Sequence, residues 1–477
     1  MATPTLPSNI TTTEEGGRRC DTHEHPGHGG PRPDRRMLRR MGRWAGPLVV
    51  LGLLAAAAVR FLDDPEPAAR VAVPQQQGDV ISGLEAAVAA RPGDLGAWQQ
   101  LGSAYLAQAA SSGDPSYYDQ AGAAFERAEQ LAPGNPTTML GRASLALSQH
   151  HFDRALELGE AALALRPQNA EALAVLVDAN VELGRYDVAA AVTQQLLDVR
   201  PGMAALTRTS YQRELHGDLA GALTAMVQAE AAAGGADTAA TGGDSRPLLS
   251  LATVVALEGD VLSADGRPAE AAARYQRALE LAPTLALAEI GLARTDAAAG
   301  QLDAAIARLE ELINRSPTLP AATLLGDLQR LAGLPATGDE LVDVIVQLQR
   351  SSGATVDMEL AVHLADRGRP DLDLALAAYT ERPSIYGADV LGWSLTRAGR
   401  GGEALPYVEQ ALSLGTEDAV LHFHAAMAYD AAGRRDLAAR ELQSAFDTNP
   451  YFTFGLRAEA TELAGRLAVA VPAAWTN

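Results

Sequence analysis

Nucleophiles, metal ligands and acid–base pairs are sparse in this sequence, and their spacing offers little chemistry. Cys20 is the single cysteine, and Asp21, His23, Glu24, His25 and His28 surround it. Those side chains could hold a metal ion only within fixed geometry and supporting hydrogen bonds. Residues 1–43 abound in Pro, Gly, Thr and His and lack periodic apolar residues, so a disordered tail is expected there. His150-His151 falls at an interhelix turn and is expected to face solvent. His422-Phe423-His424 sets two imidazoles two residues apart, which on a helix points them in different directions. His216 and His363 stand alone, and the sequence has no nucleophile elbow, no Gly-rich phosphate loop and no His-Glu-x-x-His. The expectation is a chain without catalytic residues, cofactor or metal. Binding must then be its business.

The elements that would present a binding face follow from a repeat. Prolines recur at Pro133, Pro167 and Pro201, 34 residues apart, and again at Pro283 and Pro317. Ahead of the first lie Trp98-x-x-Leu101-Gly102-x-x-Tyr105, then Ala121-x-x-x-Phe125 and Ala128. Apolar residues at repeat positions 4, 7, 8 and 11 have the spacing of one buried helix face. A glycine near position 15 ends the first helix, an alanine at position 20 packs the second against it, and the proline at position 32 stops the second. Further units carry Ala155, Ala162 and Pro167; Leu176, Gly184 and Ala189; Gly217, Ala222 and Met226; Gly259, Gly266, Ala271 and Tyr275; Gly300, Ala305 and Pro317. The match is poor over 318–383, where Gly368, Ala375 and Tyr379 suggest a degenerate unit, and returns with Gly399, Ala404 and Ala411, then Gly433, Ala438 and Ala445.

This pattern resembles the tetratricopeptide repeat family over nearly all of residues 80–455. The resemblance implies an all-α solenoid, a right-handed superhelix of antiparallel helix pairs whose concave groove holds a peptide or helix of another protein. It implies stacks at 80–233 and 248–455, the latter with degenerate units at 318–383, separated by a Gly/Ala/Thr loop at 234–247. The first unit carries an insert within Ala109–Tyr118. Residues 456–477 are expected to add a capping helix and tail.

Composition narrows the partner. The chain has 477 residues, 47% apolar and 5% aromatic, and all 38 basic residues are arginine. That codon bias, with the alanine and glycine load, points to a GC-rich bacterial genome. Residues 1–62 hold nine arginines against five acids, while the remainder sums to about −25. A surface so acidic is a poor match for nucleic acid, which needs basic patches. An apolar run from Trp44 to Leu62 carries one charge, Arg60, and is just long enough for a bilayer core as a transmembrane helix. Arg32, Arg35, Arg36, Arg39, Arg40 and Arg43 precede it, so the N-terminus is expected to be cytoplasmic and the repeats, after a 63–79 linker, extracytoplasmic. A signal peptide cleaved near Ala56-Ala57-Ala58, or a buried helix, are alternatives.

In the family, positions 2, 5, 9, 12 and 13 of the first helix line the groove. Near the C-terminus these are Tyr386, Asp389, Trp393 and Arg397, then Val420, Phe423, Met427 and Asp430. In a chain this poor in aromatics, Trp393 and Phe423 suggest an anchor pocket for a protein partner, unless the C-terminal helix folds back over them. The chaperone-tail clamp of some relatives is not expected, because positions 5 and 9 hold Gln99 and Ser103, Leu140 and Ser144, Ala174 and Asp178, with no lysine. Leu84-Glu85-x-x-Val88-x-x-Arg91-Pro92-x-Asp94-x-x-Ala97-Trp98 is similar to the repeat domain of cytochrome c biogenesis factors, one form of envelope-assembly role. A self-associating structural protein is the remaining reading.

Overall fold

The computed structural model describes residues 76–112, 116–234, 246–351 and 358–475. Secondary structure among the described residues is all helical: α1 Gln76–Ala90, α2 Leu95–Ser112, α3 Ser116–Leu131, α4 Pro136–Ser148, α5 Phe152–Leu165 and α6 Ala170–Glu182. Then come α7 Tyr186–Val199, α8 Met203–Leu215, α9 Leu219–Gly234, α10 Arg246–Ala264, α11 Pro268–Leu281 and α12 Ala286–Ala298. The series continues with α13 Leu302–Arg315, α14 Leu319–Leu331, α15 Thr337–Ser351, α16 Met358–Asp366, α17 Leu372–Glu381 and α18 Ile385–Arg397. It closes with α19 Gly401–Ala411, α20 Ala419–Ala431, α21 Arg435–Thr448, α22 Arg457–Leu467 and a 3₁₀ turn at Ala473–Trp475. Among these elements ten hairpins, α2–α3 through α20–α21, stack in sequence, with α1 before them and α22 after. The expected tail at 1–43, the span at 44–62 and most of the 234–247 loop lie outside the described residues. Among the described residues no helix is long and apolar enough to cross a membrane.

Local signals explain the element ends. Asn135, Asn169, Asp371, Ser384 and Asp418 cap the helices that follow them with side-chain oxygens. Position-20 alanines Ala121, Ala155, Ala189, Ala222, Ala271, Ala305, Ala404 and Ala438 have no exposed surface, so paired helices meet through them. Position 24 fills the gap between hairpins: the Phe125 ring lies between Gly102 and Gly141, and Tyr275 lies between Gly259 and Gly291. A methyl group on Gly102 would stand 2.6 Å from that ring.

The stretch of weak pattern, 318–383, folds as two hairpins of the same kind. In α14–α15 glycine replaces alanine at position 20, and Gly338 packs against the Gly326 backbone. After Gly368 the turn is stretched through Pro370 before the Asp371 cap. The expected insert in the first unit extends α2, which has 18 residues against 13 in α4. His150, expected in solvent, is buried at the α4–α5 turn: it takes the left-handed backbone usual for glycine there (φ 64°) and stacks on Phe152 at 5.8 Å.

The solenoid also touches itself. The third, fourth and fifth hairpins meet the segments that lead into α18, α20 and α22. Arg382 donates to Glu182 at 2.7–2.9 Å, both buried, and its guanidinium lies over Phe152 at 5.4 Å. The Ile385 amide donates to the Tyr186 hydroxyl at 2.7 Å, Thr416 to the Leu215 carbonyl at 2.5 Å, and Asn449 to the Ser263 carbonyl at 2.9 Å. Val177, Val181, Leu215, Ile385 and Leu421 form the apolar part of this seam.

Candidate partner-binding face

The eight residues that the repeat pattern marks as groove lining divide into an enclosed group and a rim, with Val420 half-buried among the latter. Trp393 on α18 is completely buried and Phe423 on α20 is 1% exposed. Their rings lie 6.1 Å apart, and Trp393 stacks flat on His424 at 4.1 Å. The indole N–H donates to Asp366 at 2.8 Å, and the Arg397 guanidinium lies over the ring at 5.1 Å. Asp389, also buried, bonds His424 Nδ1 at 2.9 Å. Tyr386 is half-buried and sits in the seam cluster, away from Trp393's cluster. Arg397, Met427 and Asp430 are half-buried.

Solvent does not reach the aromatics because the chain's own C-terminus covers them. Ala460, Leu463 and Ala464 of α22 share one buried cluster with Trp393, Phe423, Leu442 and Phe446, with Met427 packed against it. Phe452 lies 5.3 Å from Phe423, and Trp475 meets Phe446 edge-on at 5.2 Å. Charge fixes the two ends of α22. Arg397 pairs with Glu459 through both terminal nitrogens, one bond at 3.2 Å, while Arg466 donates to Asp430 at 2.9 Å. The alternative in which the C-terminal helix returns over the groove is therefore the arrangement found, and the aromatics are not an open pocket.

Electrostatics beneath the helix are dominated by burial. Desolvation raises Asp366 to about 6, partly offset by His424 and the indole hydrogen bond. Desolvation works against the His424 cation, but Asp389, then Asp366 and Asp418, outweigh it and hold the imidazole above its ordinary value. His422, two residues away, faces elsewhere and bonds Glu441 at 2.7 Å. The His424–Asp389 pair has the residue types of an acid–base dyad; both side chains are buried, and the imidazole stacks on Trp393. Among the described residues no three His, Cys, Asp or Glu side chains converge to hold a metal ion; Cys20 and its neighbours lie outside them.

Sequence reasoning missed part of the inner face. Arg367, directly after α16, bonds Asp327 at 2.8 Å and Asp339 at 3.0 Å, and Arg330 bonds Asp327 at 2.8 Å. Gly455, in the turn before α22, lies against Asp327. Gly333 carries the helix-ending role in that hairpin (φ 69°) and would have restored the register over 318–333. At the other end of the array, Gln99 bonds Asn135 and Thr138, and Arg208 pairs with Asp178 at 2.8 Å in full burial.

Residues 146–208 and 262–328 match the tetratricopeptide repeat family model. No curated protein matches the sequence. Among solved structures, a thermophilic TPR protein of Thermus thermophilus is 23% identical over 42% of this chain and 98% of its own, with a TM-score of 0.36. The human IFIT1 dimer with m7Gppp-AAAA is 16% identical over 80% of this chain and 93% of its own, with a TM-score of 0.41. YrrB, a TPR protein with an unusual peptide-binding site, is 15% identical over 44% and 96%, with a TM-score of 0.25. None of these likenesses bears on what the chain binds. The family model thus identifies tetratricopeptide repeats in two segments of the chain, and the described helices continue as hairpins on either side of them.

Proposed function

We propose that this chain is a non-catalytic scaffold for protein–protein interaction, held to a membrane by residues 44–62 with its repeats outside the cytoplasm, and that its inner face across α18 and α20 receives a helix of a partner protein. The fold is one that suggests such scaffolds. One observation supports the face in particular: a helix already lies on it, held by Arg397, Met427 and Asp430 at the rim and by Trp393 and Phe423 at the floor. The acidic balance of residues 63–477 favours a protein over nucleic acid.

The test is a photo-crosslinking residue at position 427 in the full-length chain, in the cells that encode it. An adduct heavier than the chain, recovered from membranes and retained through an alkaline carbonate wash, is expected. Adducts only within the chain would remove the scaffold reading, and release by carbonate would remove the tether.

A further inference from the structure

The helix seated on the inner face carries little of what holds a helix tightly. Its fully buried side chains are Ala460, Leu463 and Ala464, a modest apolar contribution beside the Trp393, Phe423 and Phe446 that it covers. Its first turn has no side-chain cap, and it ends on Ala468 in left-handed backbone (φ 57°), where a side chain costs about 1–2 kcal/mol. Its contacts with α18, α20 and the cluster they share lie in one short run: Glu459 to Arg397, Ala460, Leu463 and Ala464 in the aromatic cluster, Arg466 to Asp430. Beyond that run Arg457 donates to the Ala474 carbonyl, Leu467 packs against the cluster, and Arg435 donates to the Arg466 carbonyl. The spacing within the run is a helical stripe with an acid at one end and a base at the other. The floor is large and aromatic, and its rim charges are set for those two opposite charges.

We infer that the partner presents an amphipathic helix of the pattern Glu-Ala-x-x-Leu-Ala-x-Arg, as in Glu459–Arg466, and enters by displacing α22. The inference rests on the groove reading above and names its ligand. Because α22 is tethered by the short turn after Pro450, it competes at an effective concentration of order millimolar. A free helix therefore binds in proportion to the fraction of chains whose seat is open. Leucine at the fourth position after the acid matters most, since Leu463 is the one large apolar side chain the helix buries.

The experiment uses a fluorescent peptide of residues 451–475 as the probe and measures anisotropy against the full chain. Leu463→Asp in the chain vacates the seat and is expected to raise peptide affinity at least tenfold over the unaltered chain. Adding Arg397→Glu should lose at least that gain, and a peptide carrying Glu459→Arg should recover it. Circular dichroism of each chain, and hydrogen exchange confined to α22, separate an emptied seat from a misfolded array. Equal affinity of the unaltered and Leu463→Asp chains, no binding by either, or no recovery by the charge-swapped pair would each overturn the proposal. A dimer of the unaltered chain in light scattering, lost in Leu463→Asp, would assign the seat to a second copy instead. Peptide exchange without a cellular adduct at position 427 keeps the seat and removes the scaffold; an adduct without peptide exchange does the reverse.

Discussion

Gly184 and Gly300 occupy the same repeat position, with φ of 68° and 79°, and differ only in what lies beyond them. Replacing either by alanine puts a side chain into left-handed backbone, which costs about 1–2 kcal/mol in both. At Gly300 the added methyl meets nothing within 4 Å, whereas at Gly184 it would stand 2.6 Å from the Pro383 carbonyl oxygen. That oxygen belongs to backbone leading into α18 and cannot rotate away. Overpacking of this kind adds about 1–3 kcal/mol, so Gly184→Ala should total about 2–5 kcal/mol against about 1–2 for Gly300→Ala. Urea unfolding of both variants measures the difference, and hydrogen exchange should rise along 177–189 and 383–392 in Gly184→Ala alone. Gly217 and Gly266 face the Gly415 and Thr448 carbonyls in the same way and should follow Gly184. If Gly184→Ala and Gly300→Ala lose equal stability with matching exchange, the seam does not bear on stability.

Three further expectations follow from buried groups. Arg382→Ala leaves Glu182 charged and unpaired in the interior, at a cost of about 3–5 kcal/mol, while Arg154→Ala at an exposed pair should cost under about 1 kcal/mol; thermal melts compare them. Desolvation, then Asp418 and Asp260, raise Glu214 to about 7 from its ordinary 4.5, so its folded form binds protons more tightly than the unfolded chain. Stability should accordingly fall as pH rises from about 4.5 to 7, by up to about 3 kcal/mol, and Glu214→Gln should flatten that slope in urea titrations at stepped pH. Gly141→Ala drives a methyl into the Phe125 ring and should cost about 1–3 kcal/mol, with Phe125→Leu on top recovering part of it.

Much of the fold was legible because each hairpin states its own ends. Proline 32, glycine 15 and alanine 20 act within one unit, through backbone and nearest neighbour, so a local pattern suffices. The pattern fails where a unit substitutes one solution for another, as Gly338 does for alanine in α15 or His150 does for glycine after α4. The candidate face was legible in identity but not in accessibility. Positions 5 and 9 bring Trp393, Phe423 and Met427 into one cluster, with Asp389 on His424 beside it. Nothing in a 34-residue period tells that Glu459 and Arg466 will meet Arg397 and Asp430, because that depends on how far the array has turned over several units. Arg382 with Glu182, 200 residues apart, was invisible for the same reason.

Open repeat arrays behave as one-dimensional chains, in which a hairpin answers only to its neighbours and unravelling starts at either end. The contacts from Glu182, Tyr186 and Leu215 to Arg382, Ile385 and Thr416 break that rule, tying the third and fourth hairpins to the ninth and tenth. Such a coil cannot stretch like a spring to suit guests of different length. It should instead melt as a block and offer one fixed curvature, exchanging breadth of recognition for a shape set before anything arrives.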